Sequence, residues 1–199
     1  MINDQLILAT RNKDKIVEIE QLLEEFDLSI TTASEFADLP ETVEDHDTLR
    51  GNAIKKAKEV FIHTGIPSVA DDTGLEVDAL DGRPGVFSAR YAGEKASYSD
   101  NVTKLLEELK GVESEQRTAR FRTVAALALE KKVYLFDGVC NGFITEKPSG
   151  TGGFGYDPVF KPEGYEQTFA ELDAAAKNTI SHRGRALNKL KAFLAYHAD

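Results

Sequence analysis

The run Gln5-Leu6-Ile7-Leu8-Ala9-Thr10 restricts this chain more than any other segment. It is apolar and continuous rather than alternating, so as a strand it must be covered on both faces. The next segment supplies a cover. Beyond the polar stretch Arg11-Asn12-Lys13-Asp14-Lys15, the residues Ile16, Ile19, Leu22, Leu23 and Phe26 recur at helical spacing, with Glu18, Glu20, Glu24 and Glu25 elsewhere around the axis. The unit is strand, polar loop, and a helix lying on one face of a sheet.

The rest of the chain extends this pattern. A second helix is expected from about Thr48 to Thr64, with Ala53, Ile54, Ala57, Val60 and Phe61 as its apolar stripe and Gly65 and Pro67 ending it. Pro67 to Ala70 reads as another buried strand, whose exit is Asp71-Asp72-Thr73-Gly74. A third helix spans about Ser99 to Leu109, before Gly111. Thr118 to Leu129 and Lys132 to Ile144 read as longer strands, the second broken at Gly138 and Gly142, forming an antiparallel excursion from the main sheet. A last helix starts near Ser181, an N-cap candidate, and carries Ala186, Leu187, Leu190, Phe193 and Leu194. The class is α/β, a long mixed sheet flanked by helices. The 199 residues fit one domain, 1–199, with a core of ordinary size.

The formal net charge of −10 excludes a nucleic-acid backbone or an anionic membrane as the main partner, since either needs a basic face. A small polyanion remains, provided the few cations gather in one place and a divalent metal adds positive charge. The N-terminus passes within five residues into a strand-like run and no window of eighteen apolar residues exists, so the expected location is the cytoplasm. Cys140, a single cysteine, excludes an internal disulfide.

Chemistry-bearing residues crowd three expected strand exits, where ligands of α/β sheets bind. Thr10, Asn12, Lys13 and Lys15 precede a helix whose free N–H groups could hold phosphate; a solvated turn explains them equally well, and the glycines of a Walker loop are missing. Asp71-Asp72 is sharper. Adjacent carboxylates beside a core need a metal, hydrogen bonds or a helix end, and oxygen-rich sites suit Mg²⁺; a simple capping turn is the bland alternative. In Ser149 to Pro158, four glycines accompany Phe154, Tyr156 and Asp157. Glycine admits close backbone approach and an aromatic face stacks on a base, although a glycine-rich hairpin accounts for the glycines alone. Lys177-Asn178 and Ser181-His182-Arg183-Gly184-Arg185 set several donors at a helix start, better suited to recognition than to nucleophilic catalysis because no aspartate partner is indicated.

Taken together, these segments resemble the inosine triphosphate pyrophosphatase, or Ham1-like, family. The resemblance runs from Leu8-Ala9-Thr10-Arg11-Asn12 through Ala70-Asp71-Asp72-Thr73-Gly74-Leu75, Arg83-Pro84-Gly85-Val86-Phe87-Ser88-Ala89-Arg90-Tyr91-Ala92-Gly93 and Gly152-Gly153-Phe154-Gly155-Tyr156-Asp157-Pro158 to Ile180-Ser181-His182-Arg183-Gly184, in matching order and spacing. It implies two lobes around a central nucleotide cleft, a homodimer, Mg²⁺ as cofactor, and hydrolysis of ITP, dITP or XTP to the monophosphate and pyrophosphate. Asp72 would be the proton acceptor and metal ligand. Thr10, Arg11, Asn12, Lys13, Asp14 and Lys15 would hold the triphosphate, and Thr73 would touch substrate. Phe154, Gly155, Tyr156 and Asp157, with Lys177, His182 and Arg183, would enclose and read the base.

Two departures stand out. Arg11 and Asp14 occupy positions where the family's phosphate loop carries small residues, and Gly51 replaces the glutamate that usually precedes Asn-Ala and serves as a second metal ligand. Glu44, Asp71 or water could fill that place. Hypoxanthine and xanthine offer a 6-keto acceptor to a donor such as Arg183, whereas adenine offers an amino group; each such mismatch is worth about 1–3 kcal/mol. Two rival readings remain at this level. One is a Maf-type pyrophosphatase, against which the Ser-His-Arg segment argues, and the other is a nucleotide-binding regulator that would not need Asp72.

Overall fold

The computed structural model describes residues 5–26 and 28–197. Seven strands form one sheet in the order β2-β1-β3-β5-β6-β7, with β4 paired to β3. In chain order the elements are β1 (Gln5–Leu8), α1 (Lys13–Leu23), β2 (Ser29–Thr32), α2 (Leu49–Thr64), β3 (Ser68–Val77), β4 (Pro84–Gly85), α3 (Tyr98–Glu108), β5 (Thr118–Ala128), β6 (Val133–Ile144), β7 (Phe160–Pro162), α4 (Ala174–Ile180) and α5 (His182–Tyr196), with short 3₁₀ turns between. Parallel and antiparallel pairs coexist: β1 runs parallel to β2 and β3, while β6 and β7 are antiparallel. This is the mixed sheet that the sequence predicts. No described helix is long and apolar enough to cross a membrane.

The chain divides into two compact units. The first is drawn from Met1–Asp72, Thr123–Gly138 and Arg183–Asp199, the second from Thr73–Arg122 and Val139–His182. In the first, Leu6, Leu8 and Val69 pack with Ile19 and Leu23 of α1, Ala125 and Leu127 of β5, and Ala186, Leu187, Leu190 and Leu194 of α5. Leu6, Ile7 and Leu8 are fully buried, as a strand covered on both faces must be. The second core gathers Leu75 and Val77, Val102, Leu105 and Leu109 of α3, and Phe121, Phe160 and Phe169. Phe121 meets Phe160 edge-on at 4.7 Å and lies nearly parallel to Phe169 at 6.0 Å.

Helix ends follow local rules. Asn12 caps α1 by accepting from the backbone N–H groups of Asp14 and Lys15, Thr48 caps α2 through Gly51 N–H, and Ser97 and Asp100 form a capping box on α3. Gly65 closes α2 in the left-handed region.

The structure corrects several expectations. β3 does not end at Ala70 but continues through Asp71, Asp72, Thr73 and Gly74 to Val77, because both carboxylates find buried partners. β6 is not broken at Gly138 or Gly142. Gly142 lies opposite Pro162, and a Cβ there would sit 2.3 Å from Lys161 O, so this glycine permits the approach of β7 rather than ending β6. β5 and β6 belong to the main sheet, not to an excursion from it. The last helix, α5, starts at His182, directly after Ser181 as expected, but a short helix, α4, precedes it, and Ser181 is also its C-cap.

Arg117 carries a disproportionate share of the second unit's local order. It is buried, and its guanidinium donates to the carbonyls of Leu109, Val112 and Thr145, closing the end of α3. Arg117→Met should therefore cost about 2–4 kcal/mol, read as a lowered urea midpoint with an unchanged m-value.

Candidate active site

Asp71 and Asp72 are both almost fully buried in the middle of β3. Successive side chains of a strand point to opposite faces, so the two carboxylates are served by different partners. Lys15 Nζ and Arg183 Nη2 each lie 3.2 Å from Asp71 Oδ2. Lys56 Nζ lies 3.0 Å from Asp72 Oδ1, and Asn52 Nδ2 donates to Asp72 Oδ2 at 3.3 Å. Burial alone would lift both acids. For Asp71, Lys15, Arg183 and Lys56 together overcome burial and hold the carboxyl well below the usual carboxylate range. For Asp72, burial, reinforced by Glu44, wins over Lys56 and Lys15, and its pKa rises. The pKa values of these neighbouring carboxyls thus move in opposite directions.

Lys56 links this pair to the segment before α2. Its Nζ lies 2.9 Å from Glu44 Oε1 and donates to the carbonyl oxygen of Asp71 at 2.7 Å. Burial disfavours its charge, but Asp72, Glu44 and Asp71 raise its pKa. Burial lowers that of Lys15, with Asp71 opposing. Among the described residues, no three His, Cys, Asp or Glu side chains converge to hold a metal by themselves.

The other residues of the first loop lie around α1. Thr10 is half-buried and its Oγ1 accepts from Asn12 N–H; Asn12 is committed to its cap; Lys13 and Asp14 are exposed on the first turn; and Arg11 donates to the carbonyl of Leu39 at 2.7 Å. Thr73 follows Asp72 in β3, half-buried.

A second cluster lies within the second unit. Asp157 is buried, accepts from Phe154 N–H at 2.8 Å, and pairs with the buried Lys177 at 2.6 Å. The Lys177 ammonium stands 5.1 Å from the half-buried Phe154 ring and 5.8 Å from that of Phe169. Gly155 separates Phe154 from Tyr156, whose buried hydroxyl donates to Ser88 O at 2.9 Å. His182 is stacked on Phe121 at 4.5 Å. Lys177, Phe154, Asp157 and His182 therefore stand in one aromatic and polar environment, while Tyr156 is part of its framework.

Arg183, to which the sequence resemblance gives base recognition, is engaged in the structure by two carboxylates. It is buried in the first unit, where Nε and Nη2 both donate to Asp71 Oδ2 and Nη1 pairs with Glu18. Standing at the first turn of α5, it meets two carboxylates that would otherwise be buried charges. Sequence reading also passed over Asn52, Lys56 and Glu18. The first two left a trace: they fall among Ala53, Ala57 and Val60 on the apolar face of α2, where a buried amide and a buried lysine are out of place unless something polar faces them.

The Ham1 family model matches residues 6–193. The chain belongs to the Ham1 family. A dITP/XTP pyrophosphatase of Flavobacterium johnsoniae is 51% identical over 188 residues, covering 94% of this chain and 95% of the relative. A protein of the same name from Geobacter sulfurreducens is 50% identical over 193 residues, covering 96% and 97%. Among solved structures, the HAM1 protein of Coxiella burnetii superposes with a TM-score of 0.89 at 39% identity, and the Ham1 protein of Staphylococcus aureus with 0.86 at 35%; each comparison covers 96% of this chain and 98% of the other. The Ham1 frame is thus shared along almost the whole chain.

The position of Arg183 in this Ham1 protein sets an expectation. Arg183→Met strands Asp71 and Glu18, so stability should fall by about 3–5 kcal/mol. Any catalytic loss should be proportionally equal for ITP, XTP, GTP and ATP. A loss in kcat/KM confined to ITP and XTP would return Arg183 to base recognition.

Proposed function

We propose that this protein hydrolyses non-standard purine nucleoside triphosphates, ITP, dITP and XTP, to the nucleoside monophosphate and pyrophosphate. The observation that carries the reading is Asp72: a buried, polarised carboxylate with a raised pKa, held by Lys56 and Asn52. Names borne by close relatives supply the substrate class. With it go a single pyrophosphatase domain, a cytoplasmic location and, as the family resemblance implies, a homodimer.

Asp72 is placed to take the proton of an attacking water, because burial makes its carboxylate a better base than a solvated aspartate. Lys15 lies in the first turn of α1, where its ammonium and the positive end of the helix dipole suit phosphate oxygens. Lys56 adds a second cation beside Asp72. Asp71 pairs with Lys15 and holds its ammonium, while Arg183 pairs with the same Asp71 oxygen.

A divalent cation fits the donor set. Glu44 and Asp72 each place an oxygen within 3.0 Å of the Lys56 nitrogen, so two carboxylates already converge on one cationic point. One or two carboxylates completed by phosphate and water is the pattern of Mg²⁺ sites. Bound there by Asp72 and Glu44, Mg²⁺ would neutralise charge developing on the leaving pyrophosphate. Asp71 instead pairs through Oδ2 with Lys15 and Arg183.

For the base, Phe154 offers a face for stacking, while Lys177 and His182 offer donors suited to a 6-keto oxygen. An adenine amino group would leave such a donor opposed by another donor, a mismatch of about 1–3 kcal/mol.

Two measurements test this reading. Asp72→Asn should fold normally by circular dichroism yet release pyrophosphate from XTP at least about a hundredfold more slowly, because the amide cannot accept the proton. Near-normal turnover would remove Asp72 from catalysis. In EDTA, hydrolysis should fall to background and return with Mg²⁺. Undiminished rates without divalent metal would exclude metal participation.

A further inference from the structure

The segment 42–46 has no strand or helix pairing, yet it is laced to α2 by side chains. Thr42 Oγ1 donates to Glu59 Oε2 at 2.7 Å, Glu44 meets Lys56, Lys55 reaches Asp45 at 2.7 Å, and the backbone N–H of His46 donates to Asn52 Oδ1 at 3.0 Å. Where the lacing ends, His46 lies directly over Gly51. A Cβ on Gly51 would stand 2.7 Å from both Cβ and Cγ of His46 and 3.0 Å from Nδ1. Because the nearest atoms include the root of the His46 side chain, rotation of the ring cannot relieve the overlap, and the segment itself would have to move.

We propose that His46 and Gly51 form a matched pair that sets the position of Asp72, with His46 as a positioning residue acting through Asn52 and Lys56. The proposal rests on the reading of Asp72 as the catalytic carboxylate. Asn52 and Lys56 each hold one Asp72 oxygen, and each also leans on this segment: Asn52 through the N–H of His46, Lys56 through Glu44. Moving residues 44–46 therefore loosens both grips at once. A glycine in the first turn of a helix is unfavourable unless a neighbour needs the space, and here that neighbour is an imidazole. Position 51 carries no side chain, and the space beside it is filled by residue 46.

Steric pairing predicts a reversal of sign that independent roles do not. The test uses four full-length proteins: the natural one, His46→Gly, Gly51→Ala, and the double variant. For each, kcat and KM for XTP are measured with Mg²⁺, together with hydrogen exchange of the residue 46 backbone amide in the nucleotide-free protein. Each single variant should lose about 5- to 20-fold in kcat, with KM within about threefold, and should exchange that amide about tenfold faster. Adding Gly51→Ala to His46→Gly should restore kcat to within about threefold of the natural protein and slow the exchange again, because a methyl on one side replaces the ring lost from the other. Losses that multiply in the double variant, or singles that change neither rate nor exchange, overturn the pair. If the natural protein released no pyrophosphate, the functional reading would fail, and the exchange rates alone would decide the pair.

Discussion

Burying two carboxylates side by side in the middle of a strand is expensive unless each is given a cation and hydrogen bonds, and the first unit is organised around that requirement. Asp71 and Asp72 face opposite ways from β3, so partners must come from different directions. Lys15 comes from the start of α1, Lys56 and Asn52 from the inner face of α2, and Arg183 from the start of α5. Hydrophobic packing holds these helices against the sheet, but it is non-directional and tolerates small shifts. The ion pairs and the amide contact do not. They fix which turn of each helix meets β3, and they leave one aspartate quenched and its neighbour basic.

The second unit solves a different problem. Its cluster contains the buried ion pair of Asp157 with Lys177, set among Phe154, Phe169 and, through stacking on Phe121, His182. Rings around the ammonium add attraction to that of the carboxylate.

Much of this was legible in the sequence where physics is local. The buried character of β1 follows from Leu6, Ile7 and Leu8, and the limits of α2 from Thr48 and Gly65. The closeness of Phe154, Asp157 and Lys177 within the second unit followed from motif order rather than periodicity. Misreadings arose where a distant partner reversed a local signal. Asp71 to Gly74 has the composition of a turn, yet it is strand because cations remote in sequence neutralise it. Gly142 looks like a break, yet it is required by the approach of Lys161. The carboxylate partners of Arg183 lie 112 and 165 positions earlier in the chain, beyond the reach of any local pattern. Lys56 was overlooked because a lysine on a lysine-rich helix attracts no notice until its face is compared with that of Ala53 and Ala57.

The segmented make-up of the units bears on synthesis. The first unit draws on three separate stretches, the last beginning at Arg183, whereas every residue of the second precedes that point. During translation the second unit has its full complement of residues before the guanidinium that faces Asp71 and Glu18 has been made. Until α5 leaves the ribosome, the first unit holds an incompletely balanced acidic centre and lacks Ala186, Leu187, Leu190 and Leu194 from its core. The pairing of Asp71 is thus completed last, and a chain truncated shortly before Arg183 would keep Lys15 and Lys56 beside Asp71 but lack the guanidinium that also faces it.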